Sequence, residues 1–246
     1  MRIIQIIGKI GAGKSYLSSL LTNSLVCNGY TIYRISFATP LKKILNNVGV
    51  SKNYALNNKN FEIFNNTDYT LKKKHEIFNK TLTKSIIDTM YSYLKRLDLN
   101  ILQLIEYIEN QIIENKNIEI GFQKYFIEKK YDIGWRILAQ NVGSILRNIN
   151  ENIFVDYVKD VIRKLDEKII DYIIIDDTRF PNEILDNSFK IKIMATNDNK
   201  KDKTIIFNHE SEKYIDKLPF DLLVLRKNNE YEPEYDTILA KVLSLE

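Results

Sequence analysis

One cysteine, Cys27, is all the sequence holds, so an intramolecular disulfide is excluded and a reducing compartment fits. Cys27 falls in the apolar pattern of the first expected helix and reads as a small buried filler. No apolar run approaches the ~20 residues of a membrane span. The first residues enter a strand-like run without the charged start and cleavage site of a signal peptide. The expected compartment is therefore the cytoplasm, the host's if the protein is viral. One-sided charge is lacking as well. There are 36 basic residues against 32 acidic ones, and a net charge of +4 gives no reason to expect a polymeric nucleic acid as partner. No internal repeat is present. The many Asn, Ile, Lys and Tyr residues follow AT-rich codon usage and point to no function. Length is not lacking. A chain of 246 residues suits one large α/β domain, or a core carrying an insertion. Such a chain buries roughly 70–75% of its unfolded surface and needs no staples.

Residues 2–7 (RIIQII) are an isoleucine-rich run of the kind a parallel strand buried on both faces requires. A glycine loop follows, and then an amphipathic helix over 14–28 ended by Gly29. Residues 31–36 (TIYRIS) read as a second strand and 41–47 as a short helix before Gly49. This order begins a doubly wound α/β sheet, a parallel sheet flanked by helices. From about 50 to 131 no further buried-strand run occurs. Asn and Lys are dense to about residue 80, with 72–74 (KKK) a solvated face, and helical periodicity then takes over. Leu99, Leu102, Ile105, Ile108 and Ile112 recur at spacings of three and four and form one expected apolar stripe. The stretch is expected to be a mostly helical insertion. Helices are expected again at 133–148 and 152–165, and strands at 172–175, 189–195 and 222–225, the last closing the sheet. A polar loop spans 197–203 and a final helix 235–245.

Gly8, Gly13, Lys14 and Ser15 satisfy G-x-x-x-x-G-K-[ST], the phosphate-binding P-loop pattern, with an apolar strand before it and a helix after it. Glycines let backbone N–H groups converge on phosphate oxygens without Cβ interference. The helix N-terminus adds partial positive charge. Gly11, Ala12, Gly13, Lys14, Ser15 and Tyr16 are thus the expected ATP contacts. Lys14 is expected to reach the β- and γ-phosphates, and the Ser15 hydroxyl to help hold Mg²⁺. A switch-type GTPase would need a base-reading Asn-Lys-x-Asp. Those letters occur at 199–202 (NKKD), but in a Lys/Asn-rich loop where they arise by chance. The Asp-x-x-Gly of such switches is missing, because Asp176 and Asp177 are followed by Thr178, Arg179 and Phe180.

Three further stretches narrow the reading: 36–44 (SFATPLKKI), 136–147 (RILAQNVGSILR) and 173–184 (IIIDDTRFPNEI). With the glycine loop, and in this order, they resemble the deoxynucleoside monophosphate kinases of phages, a branch of the P-loop nucleoside-monophosphate kinases. Residues 209–212 (HESE) are similar to a His-x-Ser-Glu of that family. The resemblance implies a P-loop NTPase fold over 1–246 as a single kinase domain, with the helical insertion at about 50–131 and a lid loop at 196–204. It implies ATP and Mg²⁺ as cofactors and a deoxynucleoside monophosphate as acceptor. The acceptor contacts it implies are Phe37, Ala38, Arg136, Gln140, Gly143, Ser144, Phe154, Asp177, Arg179 and Glu183. Glu183 would read a base or sugar group, and Phe154 stands where relatives have Trp.

The residues themselves are compatible with that chemistry. Transfer between two polyanions needs positioning and charge neutralisation more than covalent help. Arg136, Arg147 and Arg179 carry guanidinium forks suited to phosphate, and Lys14, Arg179 and Arg136 are the expected catalytic cations. Arg136 and Gln140 share a helix face. Asp177 and Arg179 alternate to the same side of a strand end, where α/β sheets bind ligands. Asp176 ends the apolar strand as an Mg²⁺-holding aspartate would, through water.

Structural readings stand beside these. A strand-end Asp-Arg pair is often a salt bridge, and Arg147 can pair with Glu151 one turn on. Phe37, Phe154 and Trp135 read as core aromatics, and His209 as a cap. Lys200, Lys201 and Lys203 are either lid residues or a solvated surface. Two departures from the resemblance stand out. Ser15–Tyr16 replaces the Asp-Thr of many relatives, and Lys9 lies one position from where some carry a lysine toward the acceptor. The insertion suits either a base-specificity cap or the surface of a homodimer. Rival functions are a P-loop kinase for another small phosphorylated acceptor, and a nucleotide-dependent switch or binding module.

Overall fold

The isoleucine runs become the middle of a sheet. The computed structural model describes residues 1–51, 69–94, 99–195, 213–227 and 230–245. The loop at 196–204 with Lys200, Lys201 and Lys203, the string at 199–202, and 209–212 with His209 lie outside the described residues. In chain order the elements are β1 (Arg2–Gly8), α1 (Lys14–Cys27), β2 (Ile32–Ile35), α2 (Thr39–Asn47), α3 (Leu71–Leu94), α4 (Ile101–Glu114) and α5 (Lys116–Phe122). After a π-helical turn (Gln123–Ile127) come α6 (Tyr131–Ile149), α7 (Ile153–Lys164), β3 (Tyr172–Thr178), β4 (Ser188–Ala195), β5 (Leu222–Lys227), β6 (Glu230–Glu232) and α8 (Tyr235–Leu243). The chain divides into two compact units, Met1–Phe37 with Val158–Glu246, and Ala38–Tyr157. Among the described residues no helix is long and apolar enough to cross a membrane.

The first unit is α/β. Its sheet runs β2-β3-β1-β4-β5-β6, with every pairing parallel except β5 to β6. β1 is central because its isoleucines are buried on both faces, as a parallel strand with neighbours on each side demands. One face packs Ile4, Ile6, Ile191, Ile193 and Val224 against Leu17, Leu21 and Leu25 of α1 and against Ile238 and Val242 of α8. Side chains of this size contribute about 1.5–3 kcal/mol each when fully buried. On β1, Ile7 instead joins a cluster with Ile215 and Leu218, Ile184 lying against it. Two expectations change here. β5 does not close the sheet: β6 adds an antiparallel strand, with Arg226 opposite Tyr231. Cys27 is exposed and not a buried filler, because the inward positions of α1 are 14, 17, 18, 21 and 25 and residue 27 falls off that face.

The second unit is helical among its described residues. Phe78 of α3, Phe122 of α5 and Phe126 of the π-helical turn form its aromatic centre, with ring centroids 5.1–5.7 Å apart. Gly134 allows α6 to approach that turn, since a Cβ there would lie 2.6 Å from the Tyr125 backbone nitrogen. The Tyr125 hydroxyl donates to the Ser51 carbonyl and accepts from the Ser51 N–H, both at 2.9 Å. Asn100 and Gln103 close a capping box at the start of α4. The stripe on α4 also differs from expectation. Leu104, Ile108 and Ile112 are buried, whereas Leu99 lies before the helix and Leu102 is 74% exposed. Trp135 is partly buried.

Candidate phosphate-binding site

β1 ends at Gly8 and α1 begins at Lys14, so the glycine loop bridges the carboxyl end of the central strand and a helix N-terminus. Gly11 and Gly13 adopt φ of 81° and 98°, the left-handed region that side chains disfavour. No side chain caps α1, whose N-cap is Gly13. Gly8 is also sterically required, and Gly13 lies against the Arg226 side chain. A Cβ on Gly8 would lie 2.9 Å from the Ile193 carbonyl oxygen, and one on Gly13 would lie 2.6 Å from Nη1 of Arg226. The Ala12 N–H donates to the Lys9 carbonyl at 3.1 Å and tightens the turn. Lys14 is only 8% exposed. Its Nζ donates to the Gly8 carbonyl, and to that of Lys9 at 2.9 Å. Two backbone carbonyls thus hold the ammonium within the loop that leads from β1 into α1.

Lys9 points elsewhere, its Nζ 2.7 Å from Oδ2 of Asp216. Lys192 of β4, opposite Ile7, is buried and donates to the Asp216 carbonyl at 2.8 Å. Burial holds its ammonium below the ordinary lysine value; Asp216 opposes that push and Lys9 adds to it.

The next strand over, β3, brings its carboxyl end beside the loop, with Thr178 opposite Ile7. Asp176 is ion-paired to Arg34 of β2 at 3.0 Å. The same guanidinium donates to Ser19 Oγ at 3.3 Å, and Ser19 Oγ donates to the Ser15 carbonyl at 2.9 Å. Asp176 and Ser15 are therefore linked through one arginine and one serine. Asp177 Oδ1 accepts from the Phe37 N–H at 2.7 Å, which fixes the chain leaving β2. Glu183 is 3% exposed, and its Oε2 accepts from the N–H of Arg179 at 2.7 Å and of Phe180 at 3.2 Å. The carboxylate thereby shapes the turn that carries Arg179.

Gln5 ties the same turn to β1, a residue the sequence reading passed over. Its Nε2 donates to Thr178 Oγ1 at 3.0 Å and to the Glu183 carbonyl at 2.7 Å. Its Oε1 accepts from the Leu185 N–H at 2.8 Å and from Ser188 Oγ at 2.7 Å. The signal was present as one amide inside an isoleucine run, since a buried polar group must find partners. Arg226 was passed over too, an arginine at the end of the apolar run of β5.

No family model and no curated protein matches this sequence.

The other expected residues belong to the second unit, Phe37 excepted. Arg136 Nε lies 3.0 Å from Asp132 Oδ2, one turn back on α6. Ser144 Oγ donates to the Gln140 carbonyl at 3.0 Å. A Cβ on Gly143 would lie 3.3 Å from Arg147 Nη1 and 3.5 Å from Leu41. The Arg147 guanidinium lies over the Phe154 ring, 4.7 Å from its centre. Ala38 starts α2, its carbonyl accepting from the Lys42 N–H at 2.9 Å. Phe154, and Phe37 in the first unit, are both buried as core aromatics are.

The first unit thus places the glycine loop with the buried Lys14, and the Arg179 turn, on adjacent strand ends. For a divalent cation the donors are lean: the hydroxyl of the exposed Ser15, and a carboxylate already paired with Arg34. Among the described residues no group of three or more His, Cys, Asp or Glu is arranged to hold a metal. Such a set fits Mg²⁺, which keeps most of its waters and is held largely by substrate phosphates, and it does not fit a cation that needs a full protein cage.

Proposed function

We propose that the protein is an ATP- and Mg²⁺-dependent kinase of the P-loop NTPase fold that phosphorylates deoxynucleoside 5′-monophosphates to diphosphates. One observation carries the reading. Lys14 is held inside the glycine loop by the carbonyls of Gly8 and Lys9, at the end of β1, and the Arg179 turn leaves the end of the paired strand β3. Two cations on neighbouring strand ends suit a reaction in which charge moves between two phosphates. The ordered stretches at 36–44, 136–147 and 173–184 support a nucleoside monophosphate as the acceptor. ATP would supply the phosphoryl group, and Ser15, with Asp176 through water, would hold the Mg²⁺ that offsets the charge of the phosphate oxygens. Lys14 and Arg179 stabilise charge as the bond to the leaving oxygen lengthens. Arg136 is the further cation that the resemblance assigns to the acceptor phosphate. No general base is needed, because the attacking oxygen is already anionic. The test is coupled ADP release with dAMP, dGMP, dCMP and dTMP in turn. At least one should accelerate ATP turnover. If none does while Lys14→Ala still abolishes ATP binding, the kinase reading fails.

A further inference from the structure

The ring of Tyr16, in the first turn of α1, is 52% exposed although it sits directly beside the loop. It is not loose. The Tyr231 ring lies nearly parallel to it, with an interplanar angle of 21° and centroids 6.2 Å apart. The Arg226 guanidinium lies 5.9 Å from the centre of the same ring. Arg226 and Tyr231 are directly opposed on β5 and β6, and Arg226 also packs against Gly13. Loop, helix start and the far strands of the sheet therefore meet in one aromatic and cationic cluster.

Topology says what this cluster faces. β3, with Asp177 and the Arg179 turn, lies on one side of β1, and β4, β5 and β6 lie on the other. If the reacting end of a triphosphate faces Arg179, the remainder of the nucleotide runs away from β3, toward β5 and β6. The Tyr16 ring lies on that side, against Arg226 of β5 and Tyr231 of β6. A ring held by neighbours and still about half exposed can act as a stacking platform, and a guanidinium beside it adds cation–π character.

We propose that the exposed part of the Tyr16 ring, held in place by Arg226 and Tyr231, seats the base of the donor nucleotide. This rests on the reading of the glycine loop as a triphosphate site and on the Arg179 side as the reacting end. It assigns the ring a task that a threonine, present here in many of the kinases the sequence resembles, does not perform.

Calorimetric binding of Mg-ATP and of Mg-tripolyphosphate to the full chain separates base from phosphate. Tyr16→Ala should weaken ATP by ~10- to 100-fold, the range of one lost base–aromatic stack. Tripolyphosphate should stay within about 2-fold, as expected for a site that does not touch the ring. Tyr16→Phe, which keeps the π face, should retain ATP affinity. Tyr16→Leu makes the same comparison if the alanine variant does not fold. Equal loss on both ligands, or loss on neither, overturns the seat. So does a native protein that binds both ligands equally well, and in that case the loop reading stands. A native protein that binds neither ligand removes the loop reading and the seat together.

Discussion

Gln5→Leu tests whether the turn carrying Arg179 hangs on one buried amide. The substitution is close in volume and suits an apolar strand, so packing alone predicts little change. Hydrogen bonding predicts otherwise. Thr178 is fully buried, and Glu183, Leu185 and Ser188 are each at most 9% exposed, so water cannot easily replace the lost partner. Ser188 keeps a bond to the Leu185 carbonyl at 2.6 Å and is spared. The Leu185 N–H, the Glu183 carbonyl and the Thr178 hydroxyl are the groups placed at risk. At about 1–3 kcal/mol for each buried group left unmade, and allowing for relaxation of the turn, the loss should be roughly 3–6 kcal/mol. For a protein of this size that lowers Tm by roughly 6–24 °C. Urea denaturation followed by far-UV circular dichroism, with a thermal melt beside it, measures both. An unfolding midpoint within about 2 °C of the native protein would show that the turn finds other partners and that Gln5 does not hold it.

Two further outcomes follow from the second unit. Gly134→Ala pushes a methyl group to 2.6 Å from the Tyr125 backbone; the expected cost is about 1–3 kcal/mol of overpacking, read by the same denaturation, and a neutral variant would mean that α6 does not rest on the π-helical turn. His75, whose Nε2 is buried with no hydrogen-bond partner among the described residues, has its pKa lowered by burial, Glu119 opposing. The folded state then resists a proton that the unfolded state accepts, so stability contributed here is lost as pH falls below the unfolded value of about 6.5. His75→Gln should flatten the dependence of Tm on pH between about 7 and 5, and an unchanged slope would assign the dependence to other groups.

How much of this was legible in the sequence differs by element, for physical reasons. β1 and β3 were readable because central parallel strands need continuous apolar runs, and RIIQII and YIII supply them. β6 was not: its three residues, EYE, carry no apolar run, and its partner is fixed by the antiparallel return from β5. The stripe on α4 failed on phase. Five Leu and Ile residues offered two alignments, and the cap at Asn100 places the helix start after Leu99. Cys27 failed on the same ground, one residue from the inward line of α1. At the site, the glycine loop was legible because its chemistry is local. The partners of Gln5 and Asp177 were less so, since Thr178, Ser188 and Phe37 lie well over a hundred residues from the groups they bond.

Those partners divide the candidate site by sign of charge. Asp176 is neutralised by Arg34, Asp177 is engaged by the Phe37 N–H, and Glu183 by the N–H groups of Arg179 and Phe180. Each carboxylate at the end of β3 is thus engaged by the protein itself. A carboxylate left facing a triphosphate would repel it, and one given backbone N–H donors both loses that repulsion and fixes the chain around it. Lys14 shows the complementary arrangement, because neutral carbonyls hold its ammonium without cancelling its charge. Anionic residues that order the loops and an ammonium that two backbone carbonyls hold thus stand on the adjacent strand ends of β3 and β1. Under the proposed function, that arrangement suits a site that gathers phosphate groups against their mutual repulsion.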